Sequence, residues 1–153
     1  MLRIFLISLF LIFSNLAFGK YISFLDPKSE FIISKYLGKK FLIGNANYSF
    51  LFWDIYDAEL YSTSKKYNSN ELAIILKYNR SIDKETLIRE TINDIKEQKS
   101  ISNQQEEKWK SLLESIYIDT KTNKKFIAIR INNKSIFYYN NKKLYESFDE
   151  EFN

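Results

Sequence analysis

Any chemistry in this sequence must come from Tyr, Lys, Arg, Asp, Glu and the neutral hydroxyls and amides, because the chain of 153 residues holds no His and no Cys. That removes thiolate nucleophiles, disulfides, Cys/His zinc sites and Ser-His-Asp triads, together with the usual base for proton transfer near neutral pH. Carboxylate pairs occur at Glu106-Glu107 and Glu150-Glu151. Adjacent residues splay apart on a helix or strand, so both pairs read as solvated faces rather than as an acid and base sharing a substrate. Gly19, Gly38 and Gly44 are the only glycines and lack the spacing of a phosphate-binding loop. No cofactor and no metal are expected. Two features remain. One is the aromatic run Tyr48, Phe50, Phe52, Trp53, Tyr56 and Tyr61, which reads either as core or as the wall of an apolar site. The other is Arg80, a cation just past a strand pattern, which could pair with a ligand carboxylate or, more simply, with Asp83.

These residues need a scaffold, and the chain is long enough for one packed domain with no room for a second. Residues 1–19 place Arg3 before an apolar run from Ile4 to Phe13, then Ala17 and Gly19 as small residues three and one before Lys20. This is the pattern of a secretory signal peptide, with an uncleaved anchor helix as the alternative. Export to the periplasm follows, with no membrane span left after cleavage. The formal charge of +4 falls to +3 with the loss of Arg3. Its lysines are dispersed in pairs such as Lys39-Lys40 and Lys124-Lys125, which do not make a nucleic-acid track.

Across residues 41–61 a period of two predicts two aromatic strands, or one long bent one. Leu72, Ile74, Leu76 and Tyr78 repeat that period. Asp83 is a candidate cap for a helix with Leu87, Ile88, Ile92 and Ile95 on one stripe, and Ser102 with Gln105 forms a capping box before Trp109, Leu112, Leu113 and Ile116. From Lys125 alternation returns, punctuated by Asn132-Asn133 and Asn140-Asn141, and predicts consecutive antiparallel hairpins. Strands, two helices and strands again give an α+β protein, a broad antiparallel sheet with helices packed on one face.

The run SFLFWDIYDAELY at residues 49–61, then ELAIILKYNR ending at Arg80, the helix opening SIDKETLIRET, the Trp-bearing helix and FYYNNKKLYESFDEEF resemble the exported bacterial branch of the chalcone isomerase-like family over about residues 42–152. The resemblance implies an open-faced β-sandwich with a cleft between sheet and helices for a flat or fatty apolar ligand. It makes residues 20–153 one such domain that stops before the family's usual closing helix, so an uncovered apolar patch over the last strands, and a protein partner or dimer there, are expected. Ring-closing members use an Arg and a hydroxyl on neighbouring strands, with a Tyr and an Asn on a helix. Tyr56 takes the hydroxyl position and Asn93 matches the amide. The Arg position falls near Gly44, no Arg lies between Gly38 and Tyr61, and no Tyr lies between Asp83 and Ser100. Without the guanidinium, an enolate loses a stabiliser of a kind often worth several kcal/mol. The resemblance therefore implies a non-catalytic protein that binds a small apolar ligand, with Tyr56, Asn93 and Arg80 as candidate contacts. An intramolecular lyase or isomerase with a rearranged site and an envelope scaffold protein are the alternatives.

Overall fold

A computed structural model describes residues 22–50 and 52–148. Residues 1–19, expected to be a signal peptide, lie outside the described residues.

Among the described residues the first element is a helix that alternation of apolar residues does not predict, α1 (Pro27–Leu37). Its ends are written in the sequence. Asp26 Oδ1 accepts from Lys28 N at 2.9 Å and Ser29 N at 3.1 Å, Pro27 occupies a first-turn position where no N–H is needed, and Gly38 closes the helix at φ 63°. A Cβ on Gly38 would meet nothing within 4 Å, so the left-handed backbone alone is what favours glycine there.

Strands β1 (Phe41–Phe50), β2 (Trp53–Ser62) and β3 (Glu71–Tyr78) follow. Helices α2 (Lys84–Gln98) and α3 (Asn103–Ile116) then precede β4 (Lys125–Ile131), β5 (Lys134–Tyr139) and β6 (Lys142–Ser147). The two expected caps are made: Asp83 accepts from Thr86 N at 2.7 Å, and Ser102 with Gln105 closes the capping box. All six strands form one antiparallel sheet in sequence order. The α+β class and the antiparallel sheet expected from the sequence are those of the protein.

Alternation sorts the side chains onto two faces. Leu60, Leu72, Ile74, Leu76, Phe126, Ala128 and Phe137 meet Ile92 and Ile95 of α2 and Trp109, Leu113 and Ile116 of α3. The opposite set, Ala73, Ile75, Ile127, Ile129 and Ile136, meets Ile32, Ile33 and Leu37 of α1. Helices thus lie on both faces: α2 and α3 where the sequence places them, and α1 on the other. Fully burying each such Leu, Ile or Phe contributes roughly 1.5–3 kcal/mol. Trp109, 1% exposed, is a core residue. Ile136, Phe137 and Tyr138 of β5 are buried as well, and the exposed aromatics at Phe50, Phe52 and Trp53 gather at the far edge of the sheet from β6, where Phe148 is exposed.

Candidate functional site

The β1–β2 edge departs from regular pairing twice, with register shifts between Leu42 and Gly44 and between Tyr48 and Ser49. Such bulges increase local twist and re-aim side chains. Between them Tyr48 pairs with Tyr56, which pairs in turn with Tyr78. The rings follow that register: Tyr48 stacks on Tyr56 at 5.1 Å, and Tyr56 meets Tyr78 edge-on at 6.2 Å. Tyr117, just past α3, packs against the same core, and its hydroxyl shares a 3.1 Å hydrogen bond with Thr91 of α2.

Each of these phenols is made harder to ionise. Burial raises Tyr56, with Tyr48, Asp94 and Tyr117 adding to it. Burial also raises Tyr78 well above its ordinary value, reinforced by Tyr117, Tyr56 and Tyr139. Tyr117 is pushed up to about 12, mainly by burial, although its bond to Thr91 opposes the shift. All stay neutral at physiological pH, so they donate and accept hydrogen bonds but do not act as phenolate bases. Tyr78 is 2% exposed, yet neither its hydroxyl nor that of Tyr56 has a hydrogen-bond partner among the described residues.

Asp94 of α2 completes this group. The residue is exposed, but packing around its carboxyl removes part of the hydration, and that first, then the neighbouring carboxylates of Glu97 and Glu90 at helical spacing, push the carboxyl up to about 6. It is the group within electrostatic reach of Tyr48, Tyr56 and Tyr117 that titrates near neutrality.

On the other face of the same edge lies an open cleft of about 760 Å³ lined by Asn47, Asp54, Asp57, Asn79, Arg80, Ser81 and Thr122. Asp57 accepts from Asn47 Nδ2 at 2.9 Å and Asn79 Nδ2 at 3.3 Å and pairs with Lys77 at 3.2 Å. Burial pushes its carboxyl up, but these partners together outweigh burial and hold it below the usual carboxylate range. Ser49 donates to Asp54 at 2.6 Å. The cleft is therefore polar, with its carboxylates already engaged and a guanidinium on its wall.

The three residues singled out from the sequence are not brought together. Tyr56 stands in the tyrosine group. Asn93 is exposed on α2, without a hydrogen bond to Tyr56 or Arg80 among the described residues. Arg80 corrects an expectation: it does not pair with Asp83, whose carboxylate is occupied by Thr86 at the helix cap. Its guanidinium lies 3.8 Å from the centre of the Trp53 ring instead. Tyr48 joins the site from the aromatic run, and Tyr78, Tyr117 and Asp94 join it without having been singled out. The period-two signal placed Tyr48 and Tyr78 on strands, but only the register brings their rings together. Elsewhere, Glu59 is a buried carboxylate satisfied by Phe24 N at 3.0 Å and the Tyr61 hydroxyl at 2.7 Å, a structural arrangement. Among the described residues no cluster of three acidic, His or Cys ligands is placed to hold a metal ion. No helix among them is long and apolar enough to cross a membrane.

No protein-family model matches the chain, and no curated protein matches it at a significant level.

Proposed function

We propose that this is a non-catalytic binding module of the periplasm, a chalcone isomerase-like protein that holds a small apolar ligand between sheet and helices, at the tyrosine group where β1–β2 meets α2. The observation that carries this reading is the continuous group of rings, Tyr48 stacked on Tyr56 at 5.1 Å and Tyr56 edge-on to Tyr78 at 6.2 Å, whose Tyr56 and Tyr78 hydroxyls make no hydrogen bond to the described residues. A ligand oxygen reaching Tyr78 and Tyr56 would satisfy both hydroxyls, while the stacked rings offer it an apolar wall. The export pattern of residues 1–19 supports the location, and the absence of Arg between Gly38 and Tyr61 argues against ring closure. The raised Tyr56 phenol argues the same way, because it cannot take a proton as a base at neutral pH.

Native mass spectrometry of the full chain expressed in an envelope-bearing host tests the proposal. An apolar adduct released on denaturation is expected, and it identifies the ligand. Replacing Tyr56 or Tyr78 with Phe removes a hydroxyl and leaves the ring, so affinity for that ligand should fall about tenfold per hydroxyl, the size of one hydrogen bond. An apo mass from every host, or an adduct indifferent to both substitutions, overturns this site.

A further inference from the structure

The turn between β1 and β2 breaks the rule that the other short turns obey. β4 and β5 are joined by Asn132-Asn133, and β5 and β6 by Asn140-Asn141, with Asn132, Asn140 and Asn141 at positive φ. That is ordinary turn chemistry, in which a short polar side chain tolerates the left-handed backbone. The β1–β2 connection instead runs Phe50, Leu51, Phe52, Trp53 in sequence. Phe52 is 97% exposed, Phe50 59% and Trp53 54%. Leaving so much contiguous aromatic surface in water is costly and does nothing for a core, so its use must be external.

The shape and the charge around the tip indicate what meets it. β2 leaves β3 at the Tyr56–Tyr78 pair, while β1 and β2 continue through Ser49–Asp54 to Phe50–Trp53. The hairpin therefore overhangs the sheet by two residue pairs and its turn, roughly 10 Å at about 3.3 Å per residue. An overhanging hairpin tip is not a groove for a peptide. It matches the roughly 5–10 Å depth to which interfacial elements enter the boundary between headgroups and acyl chains, where Trp is a favoured residue. Cations stand at its base: Arg80 stacks on Trp53, and Lys121 and Lys124 flank Thr122, which shares the cleft with Arg80. Neither Arg80, Lys121 nor Lys124 has an ion-pair partner among the described residues; Asp54, which shares the cleft with Arg80, accepts from Ser49, and Asp119 accepts from the Lys84 N–H.

We propose that the β1–β2 hairpin tip is a bilayer-interface anchor, in which Phe50, Phe52 and Trp53 enter the surface of a membrane and Arg80, Lys121 and Lys124 meet anionic phospholipid headgroups. This stands apart from the ligand reading, since it uses neither the tyrosine group nor Asp94. Charge near the surface contributes about 1 kcal/mol per Lys or Arg, so the anchor should be both lipid-selective and salt-sensitive.

The full chain with phosphatidylglycerol–phosphatidylcholine vesicles brominated in the acyl chains provides the test. The apolar run Ile4–Phe13 could hold the chain to vesicles unaided, so the readout is local fluorescence quenching, not co-sedimentation. Of the two Trp, Trp109 is buried in the core and out of reach of bromine. Quenching is expected to belong to Trp53, to vanish in Trp53→Phe, and to weaken in phosphatidylcholine alone, at high salt, and in the triple variant R80Q/K121Q/K124Q. Phe52→Ser should reduce it roughly tenfold or more, the partitioning effect of one exposed Phe. An unchanged denaturation midpoint for Phe52→Ser verifies that the fold survives. Absent quenching, or quenching equal in wild type and Trp53→Phe, overturns the anchor. So does a dimer that Phe52→Ser dissolves while vesicles leave Trp53 untouched, because the tip would then be covered by a second copy.

Discussion

The hairpins β1–β2 and β4–β5 are built on the same plan and put to different ends. Both alternate apolar side chains across a pleat. In β4–β5 nearly every position is spent on packing, with Phe126, Ala128 and Phe137 under α2 and α3, and Ile127, Ile129 and Ile136 under α1. Its pairing runs without a shift from Phe126–Tyr139 to Ile131–Lys134. In β1–β2 the register shifts twice, the tip is exposed and aromatic, one face carries Tyr48 and Tyr56, and the other carries Asn47, Asp54 and Asp57. The half of β2 from Ala58 to Tyr61 is core, but the half of the hairpin beyond it, toward Phe50 and Trp53, is not needed to close the core and is free to present chemistry. The residues whose placement burial does not explain are therefore the ones to test for function.

The sharpest way to break this contrast is to truncate an aromatic in each hairpin. Phe137 is fully buried, so Phe137→Ala should lose about 3–5 kcal/mol of stability. Phe52→Ser at the open tip should stay within about 0.5 kcal/mol of the parent. Urea unfolding of the two variants measures both values. Equal losses would mean that the tip is packed in solution and that the two hairpins are not different in kind.

The same contrast explains how far the sequence could be read. β3 through β6 were legible because their alternation serves burial and their turns are polar. The helix caps Asp83 and Ser102 were legible because capping is local. α1 is also written locally, in Asp26-Pro27 and Gly38 with Ile32, Ile33, Tyr36 and Leu37 at helical spacing, but over 11 residues that stripe is too short to stand out from the apolar positions of the strand that follows. The site was far less legible. Tyr56 was found on its strand, but its neighbours Tyr78, Tyr117 and Asp94 arrive from β3, the end of α3 and α2. Arg80 was expected at Asp83, three residues away, and met Trp53 across the sheet end, because the helix cap had already engaged the nearer carboxylate. Contacts set by register and by competition among partners are not visible in periodicity.

A smaller effect sharpens the turn half of the comparison. Asn132 sits at φ 55° in the β4–β5 turn, and its N–H donates to Asn70 O at 2.8 Å, tying that turn to the β2–β3 connection. Ala at this position must hold a left-handed backbone that costs about 1–2 kcal/mol for an L-residue without a short polar side chain. Asn132→Ala should destabilise by about 1 kcal/mol, and Asn132→Gly should be close to neutral. If both lose equally, the Asn side chain rather than the backbone angle is what the turn requires.

The smallest effect divides the two faces of the β1–β2 edge by pH. Asp57 is held below the usual carboxylate range, so its contribution to stability is present above the unfolded value near 3.8 and is lost as pH falls through the lower folded value. Asp94 has the opposite sign. Its folded value of about 6 exceeds the unfolded 3.8, so its charge penalises the fold above pH 6 and the penalty is relieved as pH falls from 6 toward 3.8. Asp94→Asn should therefore stabilise the protein at pH 7.5, by no more than about 1 kcal/mol once solvent screening of an exposed helix residue is allowed for. That gain should vanish near pH 4. Asp57→Asn should destabilise at pH 7.5, and its deficit should shrink only in more acid solution. Urea midpoints of the three proteins at pH 7.5, 5 and 4 give the comparison. A stabilising effect of Asp94→Asn that persists at pH 4 would mean that the helix gains from the amide itself, and that Asp94 is not the group near the tyrosines whose charge responds to pH.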